Sequence, residues 1–97
     1  MVATNYDIIQ FCDRNPELIK KLNQSFQEYL DVLNKYSNQV HRGKVDEAKK
    51  KLFSSDEMHT LDKKIREDFN YSPNQHIRDI FRRLIRIYRK HLKTVEH

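Results

Sequence analysis

Tryptophan is absent from the 97 residues, glycine occurs once (Gly43), cysteine once (Cys12) and proline twice (Pro16 and Pro73). One cysteine excludes an internal disulfide framework and any multi-cysteine zinc site. One glycine excludes the glycine-rich loop that cradles phosphate in many nucleotide-binding proteins. No apolar run approaches the roughly 18 residues of a membrane span. No Asn-Gly or Asp-Gly pair and no sustained apolar–polar alternation occurs, so hairpins and strands carry no signal. Residues 1–13 lack a charged lead followed by an apolar stretch. No secretory signal is therefore expected, and the expected location is a reducing compartment, the cytoplasm.

Leu, Ile, Val and Phe make up 26 of the 97 residues, above the level of disordered chains, so the chain should fold. With 34 % of residues charged and 37 % hydrophobic, the core must be thin. A second copy would thicken such a core, so homodimerisation is an open alternative. The expectation is an all-α, single-domain antiparallel bundle of four or five helices over residues 1–97, two of them long.

Helical spacing runs through most of the chain. Residues 5–13 form a short helix with Ile8, Ile9, Phe11 and Cys12 as its apolar positions. Asn15-Pro16 restarts the chain, with Asn15 accepting from orphan N–H groups and Pro16 at the first helical position. A long helix is expected from 16 to about 41, striped by Leu18, Leu22, Phe26, Tyr29, Leu33, Tyr36 and Val40. Gly43 reads as a helix stop. Residues 44–53 give a short helix, and Ser54-x-x-Glu57 is a capping-box signature ahead of a helix over 56–69. Ser72-Pro73-Asn74-Gln75 is a second start signal, opening a C-terminal basic amphipathic helix over 73–94 whose apolar half should pack on the helix 16–41.

Charge is unevenly distributed. Residues 1–72 hold 12 basic and 12 acidic side chains, whereas residues 73–97 hold seven basic and two acidic ones, so the whole net charge of +5 lies in the last quarter. At about 100° per residue, Arg78, Arg89, Arg82, Lys93 and Arg86 fall in one arc, which Lys90 and Arg83 widen. Ile77, Ile80, Phe81, Leu84, Ile85, Ile87, Tyr88 and Leu92 take the opposite half. A guanidinium presents a planar fork of donors suited to phosphate and carboxylate. Such a stripe points to an acidic partner: nucleic acid, an anionic membrane surface, or an acidic protein surface. A membrane surface or a calmodulin-type groove would need the apolar half that the fold requires for its core. Asp62, Glu67 and Asp68 are the acids placed to neutralise it.

Catalytic constellations are not evident. The acid pairs Asp46-Glu47, Asp56-Glu57 and Glu67-Asp68 are helix neighbours that diverge by about 100°, and four of these acids suit the positive end of a helix dipole. His41, His59, His76, His91 and His97 include no pair three or four residues apart, so no helical metal pair exists. Cys12 lies in an apolar stretch and reads as a buried structural thiol. Lys49-Lys50-Lys51 sits where cations complement a helix C-terminus. The chain is read as a non-enzymatic binding module needing neither cofactor nor metal.

Residues 65–82, IREDFNYSPNQHIRDIFR, resemble the helix-turn-helix of arabinose-regulator-type transcription activators. Asn70, Tyr71 and Ser72 match that motif's Gly-aromatic-Ser turn, with Asn in place of Gly, and Phe81-Arg82 matches its later aromatic–basic pair. Arg66 stands where the motif has a small residue, and the second helix here is longer. The resemblance implies DNA binding, with Asn74, Gln75 and Arg78 at the groove. Residues 80–92 also resemble, over a short stretch, a helix of the Mob family of kinase activators, whose zinc ligands have no counterpart here. The expected nucleic-acid contacts are Asn74, Gln75, Arg78, Arg82, Arg86, Arg89 and Lys93. The alternative is a small helical adaptor, inhibitor or immunity-type protein that meets an acidic protein surface, anchored by exposed tyrosines such as Tyr6 or Tyr71.

Overall fold

A computed structural model describes residues 3–36, 42–71 and 74–95. Among them are five α-helices and no strand: α1 (Asn5–Arg14), α2 (Pro16–Lys35), α3 (Arg42–Phe53), α4 (Asp56–Phe69) and α5 (Ile77–Val95). The all-α expectation holds. The helices fall into two compact units, one of Met1–Pro16 with Leu61–His97 and the other of Glu17–Thr60.

In the first unit, α1 opens on a capping box. The Asp7 N–H donates to Thr4 Oγ1 (3.2 Å), and the Thr4 N–H donates to Asp7 Oδ2 (2.9 Å). Two orphan donors are thereby satisfied. These bonds from Thr4 hold the Asp7 carboxyl below its ordinary range, with the Arg83 charge adding to the effect. Ile8, Phe11 and Cys12 are buried. Asn15 closes α1 rather than opening α2. Its Nδ2 donates to the Phe11 carbonyl (2.9 Å), and its Oδ1 accepts from Lys64 Nζ (3.2 Å).

α5 packs against α1. Ile80, Phe81, Leu84, Ile85 and Ile87 are buried on α5, and Leu61 and Ile65 on α4. The Phe11 and Phe69 rings meet at 5.8 Å, and Arg14 pairs with Asp68 at 3.3 Å.

In the second unit, Ile19, Leu22, Leu52 and Met58 are buried. The stripe expected along α2 is buried only at its start. Phe26, Tyr29 and Tyr36 are half-buried and Leu33 is exposed. α2 ends at Lys35, short of the expected 41, although the Tyr36 N–H still reaches the Val32 carbonyl at 2.9 Å. The remainder of the expected span, including Val40, lies outside the described residues.

Gly43 is not a stop. It lies in the first turn of α3 without a positive φ, the conformation that would have made it a terminator. The corner between α3 and α4 turns on Ser55, one residue later than the Ser54 box. Ser55 Oγ donates to the Leu52 carbonyl (2.9 Å) and accepts from the Met58 N–H (3.2 Å), closing one helix and opening the next. Ser54 Oγ reaches back to the Lys51 carbonyl. α4 then spans the residues expected.

α5 begins at Ile77, not at 73. His76 is its cap: its carbonyl accepts from Asp79 and Ile80, and its Nδ1 accepts from the Arg78 N–H at 3.4 Å. The Ser72-Pro73 start signal lies outside the described residues. Asn70, just past α4, has φ 49°, a left-handed conformation that Asn tolerates better than most residues.

Two substitutions test these backbone assignments. A Cβ at Gly43 would meet nothing within 4 Å, so Gly43→Ala should raise stability by about 0.5 kcal/mol through helix propensity. A loss on denaturant titration would contradict the helical placement. Asn70→Val should lower stability by about 1–2 kcal/mol, the cost of a branched residue at positive φ, while Asn70→Gly should leave it level or slightly raised.

Candidate nucleic-acid interface

The amphipathic split of α5 is realised in space. On its polar side Arg78, Arg82, Arg86, Lys90 and Lys93 are exposed, and Arg89 is half-buried. Among the described residues no ion pair or hydrogen bond engages the side chains of Arg82, Arg86, Lys90 or Lys93.

Two of the three acids placed to neutralise the stripe are committed elsewhere. Asp62 binds Arg66 Nε at 2.5 Å, four residues along α4, and Asp68 binds Arg14. Glu67 is exposed. Among the described residues Asp79 is the one acid on the basic arc, in the first turn of α5, where the helix dipole favours it.

Arg83, at the edge of the arc, serves the fold. Its Nη2 donates to Asn5 Oδ1 at 3.3 Å, and its charge helps to hold the Asp7 carboxylate ionised. It ties α5 to the first turn of α1 and is half-buried. The sequence grouped it with the outward cations because helical periodicity does not register a neighbouring helix.

Asn74 and Gln75 are exposed but precede α5, in the connection from α4. That connection covers residues 70–76, longer than the three or four residues of a helix-turn-helix turn. Arg66 fastens it: besides Asp62, it donates through Nη2 to the Gln75 carbonyl at 2.6 Å. The residue that departs from the helix-turn-helix pattern is therefore the clamp of this longer connection. Neither its role nor the cap at His76 was read from the sequence. An Arg four residues after an Asp was the available signal for half of the clamp.

The apolar half of α5 is occupied. Burying five large side chains contributes on the order of 10 kcal/mol at about 1.5–3 kcal/mol each, as much as the whole stability of a small domain. A membrane-surface or helix-in-groove role would need that half exposed. No described helix is long and apolar enough to cross a membrane.

Other chemistry is sparse. Among the described residues no group of three or more His, Cys, Asp or Glu side chains is gathered where it could hold a metal. A cleft of about 180 Å³ in the second unit is lined by both charge signs, with Glu28, Lys51 and Glu57 at its walls. The hydroxyl of Ser55 on the same wall is already engaged at the helix corner. Of the tyrosines proposed as anchors, Tyr6 is 69 % exposed, whereas Tyr71 is half-buried edge-on to Phe69.

Cys12 is buried, and burial, reinforced by the charge of Asp13, pushes its thiol up to about 12. A thiol held neutral is a poor nucleophile. Burial, then proximity to Cys12, also raises the Tyr88 phenol.

Comparisons with protein-family models, curated proteins and solved structures return no match to this chain.

The thiol assignment is open to direct measurement. Iodoacetamide at neutral pH should label Cys12 in the native protein at least a hundredfold more slowly than in denaturant, and the labelling rate should follow global unfolding. Rapid native labelling would show a thiol that is accessible and ionised.

Proposed function

We propose that this chain binds nucleic acid through the outward face of α5, without catalysing a reaction. One observation carries the reading. A single helix buries its apolar half and turns Arg82, Arg86, Lys90 and Lys93 to solvent, while Asp62 and Asp68 are held by Arg66 and Arg14. A fixed row of exposed cations on a rigid rod suits a regularly charged polymer, because each phosphate neutralised releases counterions and adds affinity. Arg78 and Arg89 extend the row along the same arc. Asn74 and Gln75 lie beyond its N-terminal end, where a bound strand would pass them. The binding surface runs along the length of the helix and is distinct from the tight-turn docking of a helix-turn-helix. A lone buried thiol and this activity are both at home in the cytoplasm.

The exposure of Tyr6 on α1 favours a second reading. An acidic protein surface would engage the same cations, with Tyr6 on α1 as an exposed aromatic anchor. Such a partner would leave the chain without affinity for nucleic acid.

The test is fluorescence anisotropy with labelled oligonucleotides over a salt series. The wild-type chain should bind, with affinity falling steeply as salt rises. Arg82→Ala/Arg86→Ala/Lys93→Ala should weaken binding by at least tenfold. It should also reduce the log–log salt slope by about 2–3, since each duplex phosphate that a cation neutralises accounts for about 0.9 of that slope. Its circular dichroism should match wild type and its melting should be equal or slightly higher, because all three side chains are exposed and their loss relieves like-charge repulsion along the helix. Unchanged binding by the triple variant would reject the assignment. No binding by wild type at low salt would favour the acidic protein surface.

A further inference from the structure

Resting on the nucleic-acid reading, we infer that α5 grips a single phosphodiester backbone at about four phosphates and takes any strand that presents one, whatever its base sequence. The number, spacing and freedom of its exposed cations carry this.

Seven cations lie on or beside the outward arc, and three of them are engaged within the chain. Arg83 is tied to Asn5 at 3.3 Å, and Arg78 and Arg89 also have interactions inside the fold. Arg82, Arg86, Lys90 and Lys93 are exposed, and among the described residues their side chains make no ion pair or hydrogen bond. Arg82, Arg86 and Lys90 follow one another four residues apart, about 6 Å per step at 1.5 Å per residue, and Lys93 lies about 4.5 Å beyond. Asp79, exposed in the first turn of α5, stands three residues before Arg82. Its carboxylate repels a phosphate at that end, so the row of available cations begins at Arg82.

The density of that row matches one strand. A B-form duplex carries a phosphate for about every 3.4 Å of axis on each strand, and about every 1.7 Å on both together. Over the roughly 16.5 Å from Arg82 to Lys93, one strand offers about five phosphates and two strands about ten. Four cations answer the first number. The row is also narrow. With Arg82 as origin at about 100° per residue, Lys93 lies at about 20°, Arg86 at about 40° and Lys90 at about 80°. On a rod of radius about 5–6 Å, such an arc is about 8 Å across. That is short of the roughly 12 Å that separates the rims of a major groove, so the four cations follow one rim rather than spanning two.

Phosphate contacts position a protein and carry no sequence information. The side chains suited to base edges stand off the row. Asn74 and Gln75 precede Asp79 in the connection from α4, where Asn74 has interactions within the chain and the Gln75 carbonyl is clamped by Arg66 at 2.6 Å. What the free part of the helix offers is charge at fixed intervals, and a phosphodiester chain of any sequence answers it.

The experiment follows fluorescence anisotropy of the full chain over a salt series with three probes: single-stranded DNA, single-stranded RNA and a DNA duplex, each in two unrelated sequences. The magnitude of the log–log salt slope should be about 2.8 on the single strands and about 3.6 on the duplex, four phosphates at about 0.7 and 0.9 each. Affinities for the two sequences of each probe should agree within threefold, as should those for the DNA and RNA strands. Lys90→Ala should lower the duplex slope by about 0.9. A duplex slope of six or more overturns the single row. A slope below two, or an unchanged slope in Lys90→Ala, overturns the count of four. A tenfold preference between sequences, or between DNA and RNA strands, overturns the sequence-independent grip. Each of these results leaves the broader nucleic-acid reading standing. Failure of all probes to bind at low salt overturns both readings together.

Discussion

The proposed interface depends on the burial of one half of α5. Ile80, Phe81, Leu84, Ile85 and Ile87 are withdrawn from water, and the opposite half has no choice but to face it. Helical geometry converts a one-dimensional pattern into that commitment, since residues three and four apart share a face. The basic arc is consequently fixed by the same packing that stabilises the first unit. Rotating the helix to hide its arginines would expose its core, at a cost near the total stability of a small domain.

The polar interactions of the fold are arranged so that this arc stays open. Arg66 is turned inward by Asp62 and by the Gln75 carbonyl, Arg14 takes Asp68, and Arg83 reaches the start of α1. Each bond is partly exposed and contributes little to stability, as surface pairs generally do. Their effect is on placement. Asp62 and Asp68 are held by arginines that are not part of the outward band, and Arg83 at its margin is tied to a neighbouring helix.

Periodicity made most of the architecture legible. Each expected helix exists, α4 spans its expected residues, and the division of α5 into apolar and basic halves follows its spacing. Local chemistry was read less well, because one side chain can serve either of two adjacent elements. Asn15 stands between two helices and caps the earlier one. Ser54 and Ser55 are chemically equivalent, and only the turn of the corner selects Ser55. Gly43 looked like a terminator because glycine favours left-handed caps, yet nothing in its sequence context requires that conformation, and helix α3 includes it. His76 lay outside the usual set of capping residues. Of the candidate site, the cations Arg78, Arg82, Arg86 and Lys93 emerged exposed as expected. The displacement of Asn74 and Gln75 off the helix follows from its start at Ile77, which the Pro73 signal had placed earlier.

The stripe carries its own electrostatic cost. Arg78, Arg82, Arg86 and Lys90 succeed one another four residues apart, as do Arg89 and Lys93, and like charges at that spacing each destabilise a helix by about 0.2–0.5 kcal/mol. Four such pairs sum to roughly 1–2 kcal/mol, against the order of 10 kcal/mol from the buried half. The helix therefore forms in spite of its charge, and the repulsion persists in the folded chain as an attraction for anything that can neutralise several cations at once. Small counterions do this only while losing their freedom. A polyanion supplies its charges already linked, and its own condensed counterions leave as it binds. The sign, spacing and rigidity of the face thus favour a polymer of fixed negative charge over scattered small anions, and that preference is set by the apolar residues on the far side of the helix.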